Sequence, residues 1–166
     1  MKDELTKVDI QKMQEEIDYR KLVLAPKLRE AVKTARELGD LSENDEYRTA
    51  KRELGRNNGR IRYLQNMIAS AVVISSESNA DEVGLFDTVT IYYDEDDEER
   101  DIRIVTTLRN DVVNGCISKE SPLGKALLGK KVGDTVKVFV NAYSYPVTIR
   151  KIVKGEDDPD LPISKY

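Results

Sequence analysis

The chain has 166 residues, enough for one ordinary domain or two small ones; it contains no histidine and one cysteine, which excludes histidine acid–base catalysis, His-ligated metal and any internal disulfide. Apolar residues make up 39% and aromatics only 6%, with no tryptophan, so a large single core is not expected. The net charge of −4, from 27 basic and 31 acidic residues, argues against a general nucleic-acid binder, because neutralising phosphates needs a basic surplus.

The first seventy-five or so residues carry a helical pattern. Thr6 and Asp9 stand at capping-box spacing, with Asp in place of the usual Glu. Ile10, Met13, Ile17, Leu24, Leu28, Ala31, Ala35 and Leu38 then recur at steps of mostly three or four, one apolar stripe. Pro26 interrupts it and predicts a bend or break, and Gly39 is a stop signal. A second helix is predicted from Ser42, with Asp45 at its third position. Its seam reads Tyr47, Ala50, Leu54, Asn57, Ile61, Leu64, Ile68 and Ala71, a heptad pattern with one polar member. Arg36, Arg48, Lys51, Arg52, Arg56, Arg60 and Arg62 surround the seam and read either as a solvated face or as a basic strip. Only a few residues separate the two stripes, which makes the helices antiparallel neighbours. Thirty helical residues reach about 45 Å, so residues 1–75 are expected to form a protruding coiled-coil hairpin.

Residues 76–82 are polar and read as a linker. Residues 83–154 alternate in the manner of strands. Thr88 to Tyr93 and Ile102 to Leu108 are predicted as a hairpin around the acidic run Asp94 to Glu99. A short strand is expected within Asn110 to Ser118, and a short helix over Ser121–Leu128 with proline at its first position. Val132-Gly133-Asp134 is a turn, and Thr135 to Val140 and Pro146 to Val153 are two further strands. The predicted class is α+β: a helical hairpin followed by a small antiparallel sheet domain with one short helix. Residues 155–166 are expected to be a loosely ordered tail. Cys116 reads as a small buried hydrophobe in a reducing compartment. The polar N-terminus and the lack of a long apolar run predict a cytoplasmic protein with no membrane segment.

The chain reverses at Gly39-Asp40-Leu41-Ser42-Glu43-Asn44-Asp45-Glu46-Tyr47, where acids cluster. Acids at a helix N-terminus serve the macrodipole, each by about 0.3–1 kcal/mol. Exposed carboxylates also suit magnesium, which takes one or two carboxylates and keeps other positions for water or phosphate. Both readings stand at this point.

The segment Ala35-Arg36-Glu37-Leu38-Gly39-Asp40-Leu41-Ser42-Glu43-Asn44-Asp45-Glu46-Tyr47, followed by Ala50 and Lys51, resembles the tip signature of the bacterial Gre transcript-cleavage factors. Ile117-Ser118 and the run from Ser121 to Lys130 resemble that family's docking domain, so the likeness spans roughly residues 5 to 153. The resemblance implies a polymerase-binding elongation factor, similar to GreA. Its tip would enter the secondary channel of bacterial RNA polymerase and promote cleavage of the 3′ end of backtracked RNA. It implies Asp40 and Glu43 as the functional acids, sharing a magnesium ion with the polymerase and binding none stably alone. It further implies Asn44, Asp45, Glu46 and Tyr47 as tip support, Arg36, Arg48 and Lys51 as RNA contacts, and Ser121, Pro122 and Leu123 as the polymerase-docking segment. The second domain would have the FK506-binding-protein fold. The factor would act as a monomer and not as an enzyme in its own right. Two other readings are carried: a Gre-like channel inhibitor without cleavage, and a prolyl isomerase or chaperone using the C-terminal domain, for whose aromatic pocket Phe86, Tyr92, Tyr93, Phe139 and Tyr145 are a thin supply. Asp45 departs from the family, which often has a small or apolar residue there.

Overall fold

A computed structural model describes residues 2–40 and 44–165. They fall into two compact units, Ile10–Ala71 and the combination of Met1–Asp9 with Val72–Tyr166.

The helical unit is entered through helix α1 (Lys7–Tyr19), which opens on the expected capping box. The Thr6 amide donates to Asp9 Oδ2 at 3.0 Å, and the Asp9 amide donates to Thr6 Oγ1 at 3.2 Å. The interruption expected at Pro26 takes the form of a π-helical turn, Arg20–Leu24, leading straight into helix α2 (Ala25–Glu37). The Ala25 amide reaches back five residues to the Arg20 carbonyl. Proline lacks an amide hydrogen and crowds the carbonyl four residues earlier, and a widened turn accommodates both defects. The extra residue also displaces the apolar stripe. Leu28, Val32 and Ala35 are buried or half-buried beyond the turn, whereas Ala31 and Leu38, both expected in the stripe, are exposed.

Helix α3 (Asp45–Ser70) starts later than the sequence suggested, with Asn44 as its cap; Ser42 lies outside the described residues. The 26 residues give about 39 Å of rod. The seam is as read: Ala50, Asn57, Ile61 and Leu64 are buried, and Tyr47, Leu54 and Ile68 half-buried. Its polar member faces the irregular turn. Asn57 Nδ2 donates to the Arg20 carbonyl at 3.3 Å, and Arg20 Nη1 donates to Asn57 Oδ1 at 3.0 Å. Arg60 departs from the solvated-face reading. It is buried and donates from Nε to Glu16 Oε2 at 2.9 Å, and Glu16 also faces Arg20 at 3.6 Å.

In the other unit, β1 (Glu4–Leu5) pairs in parallel with β2 (Val72–Val73). A five-stranded sheet contains β3 (Thr88–Tyr93), β4 (Glu98–Val105), β5 (Cys116–Ser118), β6 (Thr135–Val140) and β7 (Tyr143–Val153), in the order β5-β4-β3-β7-β6. Its pairings are antiparallel except β4 with β5, which is parallel. The sequence predicted an all-antiparallel sheet. Two 3-10 turns, Thr107–Arg109 and Val112–Asn114, carry the chain back so that β5 runs in the direction of β4. β7 begins three residues before Pro146, where the sequence reading started it. At Pro146 the strand is flanked by β6 alone, β3 having ended opposite Val147, so the missing amide hydrogen costs no ladder bond to β3. Helix α4 (Pro122–Leu127) contributes the fully buried Leu127 to a core with Phe86, Val89, Ile91, Ile104, Val138, Val147 and Ile149.

The segments read as linker and loose tail are both bound in place. Lys154 Nζ donates to Ser78 Oγ at 2.8 Å, to the carbonyls of Asn79 and Glu82 at 2.9 Å, and to the Asp87 carboxylate. Gly155 passes so close to the Phe86 carbonyl that a Cβ would lie 2.0 Å from its oxygen. Arg103 donates to the carbonyls of Phe86 and Glu156, and Arg109 to that of Asp158. Ser164 donates to the Leu108 carbonyl. Composition alone suggested a free tail; its carbonyls and Asp157 instead answer two arginines of the domain.

Candidate functional site

The hairpin tip is built from two helix ends. Helix α2 closes with the Leu38 amide donating to the Ala35 carbonyl at 3.2 Å. Gly39 follows at φ +131°, a backbone conformation that side chains disfavour and that ends the helix. Asp40 comes next, exposed. Glu43, its expected companion, lies outside the described residues. On the far side, Asn44 is extended, at φ −88° and ψ 95°. Its Oδ1 accepts from the Tyr47 amide at 3.0 Å and its Nδ2 donates to the Ala35 carbonyl at 2.7 Å. One side chain thus caps α3 and reaches the last turn of α2.

Tyr47, half-buried, joins Arg36 and Lys51. The guanidinium of Arg36 lies 5.7 Å and the Lys51 ammonium 5.9 Å from the ring centre. The bond from Arg36 to the phenol oxygen, then the Lys51 charge, hold the Tyr47 hydroxyl below its ordinary pKa of 10.0. Arg48 goes elsewhere and pairs with Asp45 at 3.9 Å on the exposed side. Glu46 borders a groove between α2 and α3 with Thr34, Ala35, Thr49 and Ala50. Of the residues read as tip support and RNA contacts, Arg36, Tyr47 and Lys51 therefore form one cluster, and Asp45 with Arg48 another. On the described part of the tip the hard-oxygen donor next to the turn is the exposed carboxylate of Asp40, which suits a divalent cation whose other ligands come from elsewhere.

In the other unit, Ser121 caps α4: its Oγ accepts from the Gly124 amide at 3.0 Å and donates to the Ser118 carbonyl at 2.7 Å. Leu123 is half-buried against the core and Pro122 is exposed. Pro122 shares a groove with Lys125, Ala126, Lys130, Val136, Lys137 and Phe139. Phe139 is 66% exposed, and the sequence offers it only as scarce material for an isomerase pocket. Alternation along β6 placed it on the Lys137 face and was the available signal. The other aromatics of that reading are engaged separately. Phe86 is fully buried, Tyr92 lies under Arg150, and Tyr93 stacks on Tyr145.

Two family models cover almost the whole chain. Residues 4–73 match the N-terminal domain of transcription elongation factors, and residues 77–154 match the C-terminal domain of the GreA/GreB transcription elongation factors. The chain belongs to the GreA/GreB family of transcription elongation factors. It is 44% identical over 151 residues to transcription elongation factor GreA of Thermoanaerobacter pseudethanolicus, covering 90% of this chain and 96% of the relative. It is 41% identical over 151 residues to GreA of Streptococcus pneumoniae, covering 90% and 94%. Among solved structures, GreA factor homolog 1 of Thermus thermophilus is similar at 26% identity and TM-score 0.40, covering 93% of this chain and 100% of that one. GreA/GreB membership makes the chain a regulator of transcription elongation that interacts with RNA polymerase. The clamped tail beyond Lys154 lies outside the matched residues. No helix among the described residues is long and apolar enough to cross a membrane.

Proposed function

We propose that this GreA/GreB-family chain stimulates cleavage of the 3′ end of backtracked RNA by RNA polymerase, entering the secondary channel with its hairpin tip. The observation that carries the reading is the exposed carboxylate of Asp40 immediately beyond the Gly39 turn, at the end of an antiparallel helix pair. Asp40 and Glu43 would lend charge to a magnesium ion whose remaining ligands belong to the polymerase. That ion supplies Lewis-acid stabilisation and an activated water in phosphodiester hydrolysis. Arg36 and Lys51, gathered around Tyr47, offer point charges to the phosphates of the extruded RNA, and Arg48 adds a third once it leaves Asp45. The exposed Pro122, on a helix fixed by Ser121 and Leu123, supplies the docking contact at the channel rim. The factor works as a cytoplasmic monomer and completes a centre held by its partner; it is not an enzyme by itself.

The test adds the protein and magnesium to backtracked elongation complexes and follows the labelled RNA. Shortening from the 3′ end is expected, lost in Asp40→Asn and Glu43→Gln while polymerase binding is kept. Slowed elongation with no RNA shortening would replace this reading by that of a channel-occupying inhibitor.

A further inference from the structure

Resting on the cleavage reading, we infer that Asn44 is a positioning residue: its amide ties the two helix ends together and so fixes where Asp40 stands. Asn44 uses both ends of its side chain. The oxygen caps α3 through the Tyr47 amide at 3.0 Å, and the nitrogen donates to the Ala35 carbonyl in the last turn of α2 at 2.7 Å. Ala35 is buried, and its carbonyl also receives the Leu38 amide that closes the helix. The bond therefore ends on the rigid part of α2. Only four residues, Arg36 to Gly39, separate that anchor from Asp40. Capping alone does not require asparagine, because serine and aspartate cap about equally well. The contact with Ala35 needs a donor that reaches across the tip while the same side chain accepts from α3. Aspartate has no donor there, and serine is too short for both tasks.

A merely structural cap and a positioning residue respond differently to Asn44→Ser, which keeps the cap acceptor and loses the cross-tip donor. The full-length variant is compared with wild type on backtracked complexes, with polymerase affinity and the cleavage rate at saturating factor measured separately. Polymerase affinity is expected to stay as in wild type, and the thermal midpoint to fall by no more than the few degrees, roughly, that one lost hydrogen bond allows. The saturating cleavage rate should fall by about ten- to a hundredfold, the order expected when a reacting group is misplaced by about an ångström. An unchanged saturating rate, or an equal loss of affinity and rate, overturns the inference. A second measurement stands whatever cleavage does. Spin labels on Glu37→Cys and Arg48→Cys, in a Cys116→Ala background, should report a broader distance distribution in Asn44→Ser; an unchanged distribution refutes the tie. Wild type that shortens no RNA defeats the cleavage reading alone, and the spin-label result still decides the tie.

Discussion

Replacing Arg109 by methionine should cost about 3–5 kcal/mol, the penalty typical of removing one partner from a buried ion pair. Arg109 is 1% exposed, with Nε 2.7 Å from Asp9 Oδ1 and Nη1 2.8 Å from Asp157 Oδ1; the Asp9 and Asp157 side chains are 0% and 10% exposed. Its guanidinium also lies 5.2 Å from the centre of the Phe86 ring. Methionine fills most of the volume but leaves two carboxylates, one fully and one largely buried, without their counter-charge. The contacts are close but poorly aimed: Arg109 Nε and Asp9 Oδ1 lack hydrogen-bond geometry, and Nη2 has no hydrogen-bond partner among the described residues. The arginine's contribution is therefore chiefly neutralisation, and that is what the variant removes. For a unit of roughly a hundred residues, at about 4–8 °C per kcal/mol, the thermal midpoint should drop by at least about 12 °C. Urea unfolding followed by circular dichroism should give the same loss at an unchanged m-value. Arg109→Met/Asp157→Asn, with one stranded charge removed, should recover part of it. A loss below about 1 kcal/mol, or a double variant weaker than the single one, would refute the charge-burial argument.

Gly55 and Gly59 lie in α3 with open space where a Cβ would be, so alanine at either should raise stability by up to about 1 kcal/mol, read by thermal melting. Gly155→Ala should do the opposite, losing at least about 2 kcal/mol because its Cβ would meet the Phe86 carbonyl at 2.0 Å. Ultraviolet titration should find Tyr47 ionising before Tyr92 and Tyr143, whose pKa values are raised by Asp97 and Glu95 respectively. Arg36→Ala should return Tyr47 toward 10.0. A depressed tyrosine pKa adds stability that builds as pH rises through the folded value and is complete above the unfolded one, so this variant should lose stability at alkaline pH. Cys116 is buried and its thiol pushed up by desolvation, so iodoacetamide should modify it only in urea. The raised thiol favours folding below the unfolded thiol pKa, and that contribution is lost as pH rises through the folded value.

The helical hairpin was legible because its signals are local: a capping box at Thr6 and Asp9, a stop at Gly39, and a seam from Tyr47 to Ile68 at helical spacing. The exchange of Ala31 for Val32 in the stripe was not legible, because the π turn that causes it leaves no mark in composition beyond Pro26. Arg60 read as solvent-facing because its acid, Glu16, is forty-four residues away. The parallel pairing of β5 depends on two 3-10 turns that alternation does not reveal. The tail looked free for the same reason, since Arg103 and Arg109 reach it only once the sheet has formed. At the tip the residue types were readable, but not the partition of cations. Arg36 and Lys51 share Tyr47 while Arg48 takes Asp45. The dual bond of Asn44 needed both helix ends in place.

The strand pair Glu4–Leu5 and Val72–Val73 runs in one direction, and parallel neighbours demand a crossover. Here the crossover is the entire helical arm. During synthesis the ribosome releases an edge strand and a counter-ion, Asp9, more than sixty residues before anything exists for them to join. The unit that holds the five-stranded sheet is thus discontinuous along the chain. A fragment excised at the polar stretch 76–82 would leave behind both strands of that pair and one of the two acids that neutralise Arg109.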